Sequence, residues 1–130
     1  MFTIIALPSP KPAEGQGNVL PSTADNPYFG KTTEVPVCAL DHVTKTYLGA
    51  GARLDFIKYD VEGAEREALL GSQEVIRRDS PALLVSAYHR NRDLFELPLL
   101  VHKLNPTYRL YLRRMAGVPA WDINLYAVAD

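Results

Sequence analysis

The chain has 130 residues, is 47% hydrophobic and 22% charged, and carries a net charge of −1, the profile of one small globular domain with a modest core. With no run of like charges there is no electrostatic case for nucleic acid or an anionic membrane surface. The single cysteine, Cys38, has no internal disulfide partner, and no Cys/His cluster has zinc spacing, so no metal site is expected.

In chain order, Phe2-Thr-Ile-Ile-Ala-Leu7 reads as a strand on its β-branched content. It is too short, and too poor in basic residues ahead of it, for a signal peptide, and nothing in the chain approaches membrane-spanning length. The cytoplasm is the expected compartment. Residues 8–36 show no periodicity and hold Pro8, Pro10, Pro12, Pro21, Pro27 and Pro36 among Gly, Ser, Asn and Lys. Residues 1–36 are therefore expected to be a Pro-rich arm with one short strand, reaching the site through Tyr28 and Phe29, and 37–130 the domain proper. Residues 34–40 suit a short edge strand, because Pro36 cannot donate to a ladder. Asp41 is placed to cap a helix ending near Leu48, with Gly49 as its stop.

Leu54 to Tyr59 is mostly apolar and aromatic, as a strand buried on both faces would be. Asp60, Glu62, Gly63 and Glu65 follow at once, and then a helical pattern. Ala68, Leu69, Ser72, Val75 and Ile76 share one apolar or small face. Gly71 is expected to break this helix, and Ser72 to cap a second one to Arg78. Pro81 to Ala87 is the next buried strand, ending in Tyr88 and His89. Asp93 and Glu96 form a helix-start pattern, Pro98 suits a first turn, and Leu97, Leu100, Val101 and Leu104 make a stripe that stops at Asn105-Pro106. Residues 108–113 and 122–128 read as two strands joined through a Gly/Pro loop and paired as an antiparallel hairpin.

The central stretch carries the chemistry. A buried strand that ends in carboxylates where the chain turns into a helix lies on the edge where open α/β sheets bind ligands. Acids in a first helical turn also have a plain electrostatic explanation in the macrodipole, so the residue pattern alone leaves both readings open. Lys58-x-Asp60-Val61-Glu62-Gly63-Ala64-Glu65, followed by Leu69-Leu70-Gly71, resembles the K-x-D-[VI]-E-G-x-E…L-x-G signature of the FkbM-type S-adenosylmethionine-dependent methyltransferases. Pro81 with its strand, Tyr88-His89, Asp93-Leu94, Pro98, Tyr108, Leu112-Arg113 and Leu125-Tyr126-Ala127 follow in family order. The resemblance covers roughly residues 35–130 and departs from the family at Arg114, where a histidine is usual.

That resemblance implies an α/β fold: a partial Rossmann-like class I methyltransferase sheet, mostly parallel, with helices and a C-terminal antiparallel hairpin. It implies S-adenosylmethionine as cofactor and O-methylation of a hydroxyl on a small-molecule acceptor, a sugar or secondary metabolite. Asp60, Glu62 and His89 are the catalytic candidates, Asp60 and Val61 the cofactor contacts, and Glu65, Tyr88 and Arg113 the acceptor contacts. An imidazole, with an unperturbed pKa of about 6.5, can serve His89 as a general base or leave it an ordinary loop histidine. Lys58, inside a strand, is expected to pair with a nearby carboxylate.

The glycine-rich turn that holds this cofactor in class I enzymes has no counterpart in the right place. Glu14-Gly-Gln-Gly17 follows prolines instead of a strand, and Gly49-Ala-Gly51 precedes a strand instead of following one. The chain is therefore expected to represent the C-terminal half of the domain and to bind S-adenosylmethionine weakly or not at all when alone. The alternative is a non-catalytic module that associates, for instance as a homodimer, through an exposed sheet edge.

Overall fold

The computed structural model describes residues 37–49, 51–114 and 122–129. The expected strand at 2–7, the Pro-rich segment to Pro36, and the 116–120 loop with Trp121 lie outside the described residues. The elements are α1 (Leu40–Tyr47), β1 (Phe56–Tyr59), α2 (Glu65–Leu70), α3 (Gln73–Asp79), β2 (Ala82–Ser86), α4 (Asp93–Leu104), β3 (Arg109–Arg114) and β4 (Ile123–Val128).

The four strands form one sheet in the order β1-β2-β4-β3. β1 and β2 are parallel, with Phe56 opposite Ala82 and Tyr59 opposite Val85. β4 runs antiparallel to both β2 and β3. The hairpin is as expected, but the mostly parallel sheet needs correction, since only one of the three pairings is parallel. The reason is where β4 lies. β1, β2 and β3 all point the same way, and the one reversed strand is inserted between β2 and β3, so it turns two pairings antiparallel.

α2 contacts β1, α4 contacts β4, and α2 and α3 both touch α4, so these helices share one face. That is what right-handed crossovers require. Beneath them Ile57, Tyr59, Leu83, Val85, Leu125 and Ala127 are fully buried, each aliphatic contributing about 1.5–3 kcal/mol. Phe56, Lys58, Leu84 and Tyr126 alternate with them on the other face and are half-buried. β1 is therefore not buried on both faces as its sequence suggested.

The face predicted from Ala68, Leu69, Ser72, Val75 and Ile76 is entirely buried, although the helix breaks at Gly71 as expected. The caps differ from the simple reading. Asp41 does not cap its own helix; its carboxylate accepts the Glu74 and Val75 N–H groups at 3.1 and 3.0 Å and so caps α3 from a distance. Ser72 Oγ instead donates to the Ala68 carbonyl at 2.6 Å. Residues 37–39 join no ladder; the Ala39 carbonyl accepts from His42 and Val43 and starts α1. Gly49, at φ 78°, follows α1 as its expected stop. Pro98 sits inside α4 and not at its start, because Asp93 opens the helix by accepting the Arg90 N–H at 3.0 Å.

Candidate functional site

The carboxyl ends of β1 and β2 lie side by side, and the chain leaves each on a polar tail. Asp60 follows β1 directly, and its Oδ2 pairs with Lys58 Nζ at 2.9 Å. The two residues are two apart on a strand and share a face, so the strand lysine finds the expected carboxylate. Asp60 Oδ1 accepts from Ser86 Oγ at 3.0 Å and from the Tyr88 hydroxyl at 3.3 Å. Burial pushes the Asp60 carboxyl up, but the hydrogen bonds from Lys58, Ser86 and Tyr88 and the Lys58 charge outweigh it. Asp60 is thus held below its ordinary value, with both oxygens paired to neighbouring side chains. The Tyr88 hydroxyl is pushed up, first by burial and then by the nearby carboxylates.

Beyond Asp60 the chain turns sharply. Glu62 takes φ 52° and Gly63 φ 96°; a left-handed glycine is ordinary, whereas a left-handed glutamate is strained. The turn wraps the carboxylate of Glu65, whose Oε1 accepts the Val61 N–H at 3.0 Å and the Gly63 N–H at 3.4 Å. The Glu65 side chain is 1% exposed. Its other oxygen, Oε2, is buried with no hydrogen-bond partner among the described residues.

His89 comes from the end of β2 and meets this turn with both ring nitrogens. Nδ1 lies 2.8 Å from Glu65 Oε1, while Nε2 lies 3.4 Å from Glu62 Oε2 and 3.9 Å from Asp60 Oδ1. The Nδ1 contact is a close approach and not an aligned hydrogen bond, a looseness common in ligand-free sites. The Tyr88 ring sits against the His89 ring, centroids 4.3 Å apart. Glu62 is 90% exposed.

The structure therefore brings Asp60, Val61, Glu62, Tyr88 and His89 to one lip. Glu65, assigned to the acceptor by resemblance, lies beneath that lip and faces inward. Arg113 stands apart. Ser86 pairs with Asn124 and Asn124 with Arg113, so a row crosses the sheet from Asp60 to Arg113. Three strand spacings of about 4.8 Å put roughly 14 Å between its ends.

Sequence reasoning missed Ser86 and Asn124. Ser86 closes an apolar strand, and only the β1–β2 register places it against Asp60. The Arg90 guanidinium lies over Gly63, where a Cβ would sit 3.2 Å from its Nε. Among the described residues no group of three or more His, Cys, Asp or Glu is arranged to hold a metal ion. Nor is any helix among them long and apolar enough to cross a membrane.

The model of the FkbM methyltransferase domain matches residues 9–115. The crystal structure of the methyltransferase FkbM from Methylobacillus flagellatus KT is similar in fold, with a TM-score of 0.59 and 34% identity over 68% of this chain. The chain spans 22% of the length of that protein. No curated protein sequence matches it significantly. A signature strand ending in Asp60, a strained turn into Glu65 and a histidine-bearing neighbour agree with a domain match over most of its length, and the chain belongs to the FkbM methyltransferase family.

Proposed function

We propose that this chain supplies the acceptor side of an S-adenosylmethionine-dependent O-methyltransferase, acting on a hydroxyl of a sugar or secondary metabolite. The observation that carries the reading is His89, whose Nδ1 lies 2.8 Å from the buried Glu65 carboxylate while Nε2 is turned to the lip beside Asp60 and Glu62. A hydroxyl seated there gives its proton to Nε2 and leaves an oxygen ready for methylation. Asp60 works as an anchor that fixes Lys58, Ser86 and Tyr88 around the lip.

The described residues do not fit the cofactor's own needs. Asp60 is tied on both oxygens to Lys58, Ser86 and Tyr88, and Glu65 is buried, so neither stands as a free carboxylate for a ribose. Gly49 and Gly51 precede β1, and the turn from β1 into α2 has a single glycine, Gly63, whose N–H is taken by Glu65 and which Arg90 overlies. The cofactor's cradle must come from residues outside the described set or from a second chain. Among the described residues β1 is an edge strand beside the site, the place where further strands would complete the sheet. No observation favours the non-catalytic association module.

The test is methyl transfer from labelled S-adenosylmethionine at about millimolar concentration, so that weak cofactor binding does not mask the chemistry, against a panel of hydroxylated acceptors. O-methylated product is expected, with His89→Gln slowing its formation about 10²–10⁴-fold. Label on nitrogen or sulfur only, or a His89→Gln rate equal to wild type, would overturn the reading.

A further inference from the structure

We propose that Glu65 is the positioning residue of this site: one buried carboxylate oxygen sets both the shape of the Asp60–Gly63 turn and the tautomer of His89. The inference deepens the methyltransferase reading and rests on it for its functional meaning. Its physical basis stands on the structure alone.

Helix electrostatics do not explain Glu65. It opens α2, where an exposed acid would serve the dipole equally well, yet its side chain is 1% exposed. A carboxylate taken out of water is costly unless donors replace the lost hydration. Here the donors converge on one atom: Oε1 receives Val61 N–H, Gly63 N–H and the approach of His89 Nδ1. The two backbone N–H groups that reach this oxygen flank Glu62, and Glu62 and Gly63 are both left-handed. A strained non-glycine residue persists only where its surroundings over-determine it, and this oxygen is the group that does so.

The same atom assigns the histidine proton. Nδ1 lies 2.8 Å from Oε1 in a close approach that is not an aligned hydrogen bond, and Oε1, which accepts two backbone N–H groups, is the acceptor onto which a small turn of the ring brings an Nδ1–H. Nδ1 therefore carries the hydrogen, and in the neutral ring Nε2 keeps its lone pair. Nε2 is the nitrogen facing the lip, with the exposed Glu62 carboxylate at 3.4 Å and Asp60 Oδ1 at 3.9 Å. Glu65 thus couples the turn that carries Asp60 and Glu62 to the base on the neighbouring strand without touching the acceptor.

The test reads the tautomer directly in the full chain, by long-range ¹H–¹⁵N spectra of the imidazoles at a pH where they are neutral. The exposed His42 and His102 serve as internal references. Wild type is expected to show His89 protonated on Nδ1. Glu65→Gln keeps an acceptor oxygen for the turn but loses the charge, and should move His89 toward a mixture of tautomers while the fold persists. Glu65→Ala should also shift the amide signals of Val61 and Gly63. Where methyl transfer is measurable, Glu65→Gln should lower kcat roughly 10–100-fold, the usual effect of partners that orient an imidazole, with acceptor KM little changed. His89 protonated on Nε2 in wild type, or an unchanged tautomer in Glu65→Gln, would overturn the proposal. The wild-type spectrum decides even if a variant fails to fold, and it needs neither cofactor nor acceptor, so its failure is distinct from failure of the methyltransferase reading.

Discussion

Asp79 ties the entry of the central strand to the end of α3, and replacing it tests whether the site's scaffold is held as described. Its side chain is 1% exposed, Oδ2 accepts the Leu54 N–H at 3.0 Å, and Arg78 grips both oxygens at 2.7 and 2.6 Å. Asp79→Ala leaves the buried Leu54 N–H without a partner, and a bond to a charged acceptor is worth about 1.5–3 kcal/mol. The Arg78 pair adds little, about 0–1 kcal/mol, because Arg78 is 50% exposed and regains water. The expected loss is about 2–3 kcal/mol, or roughly 8–20 °C in Tm by calorimetry. The pH dependence has a definite sign. Arg78 chiefly, with the Leu54 N–H and against some burial, holds the Asp79 carboxyl below its ordinary value. Its contribution is therefore fully present above the unfolded carboxyl pKa of about 3.9 and is lost as pH falls through the lower folded value. Wild type should lose stability on that acid limb, and Asp79→Asn should lose less. A Tm drop below about 3 °C for Asp79→Ala, or identical acid limbs, would refute the assignment.

Asp41→Ala removes the cap that α1 lends to α3 and should cost about 1–2 kcal/mol in urea unfolding; an unchanged midpoint would mean that water replaces it freely. Gly63→Ala imposes φ 96° on a residue with a Cβ and pushes that Cβ to 3.2 Å from Arg90 Nε. It should lower stability by about 1–2 kcal/mol and shift the His89 ring signals through the shared Glu65 contact, whereas a silent substitution would show that the turn is not built as described.

The elements rich in periodic signal were legible. The buried α2–α3 face, the apolar stripe of α4 and the terminal hairpin follow from spacing alone. The turn from Asp60 to Glu65 stood out through the family signature and not through its residue pattern alone, since acids at the start of a helix fit the macrodipole equally well. What the sequence withheld depends on tertiary register. Nothing local tells that β4 inserts between β2 and β3, which makes the pairings mostly antiparallel. Nothing local sends the Asp41 carboxylate to another helix more than thirty residues away, or sets Ser86 against Asp60. Glu65 shows the same limit, because an acid in a first helical turn looks solvated until the fold folds it inward onto His89.

On the proposed function, the described residues form the acceptor side of the site and leave the cofactor's cradle incomplete. Calorimetric titration of the chain with S-adenosylmethionine tests it most directly. Each good hydrogen bond to a charged group is worth about 1.5–3 kcal/mol, and every 1.4 kcal/mol is about a factor of ten in affinity. Absence of the ribose and carboxylate contacts should therefore move a micromolar site to a Kd of about millimolar or weaker. A Kd in the low micromolar range for this chain alone would contradict the account and show that the cradle is complete.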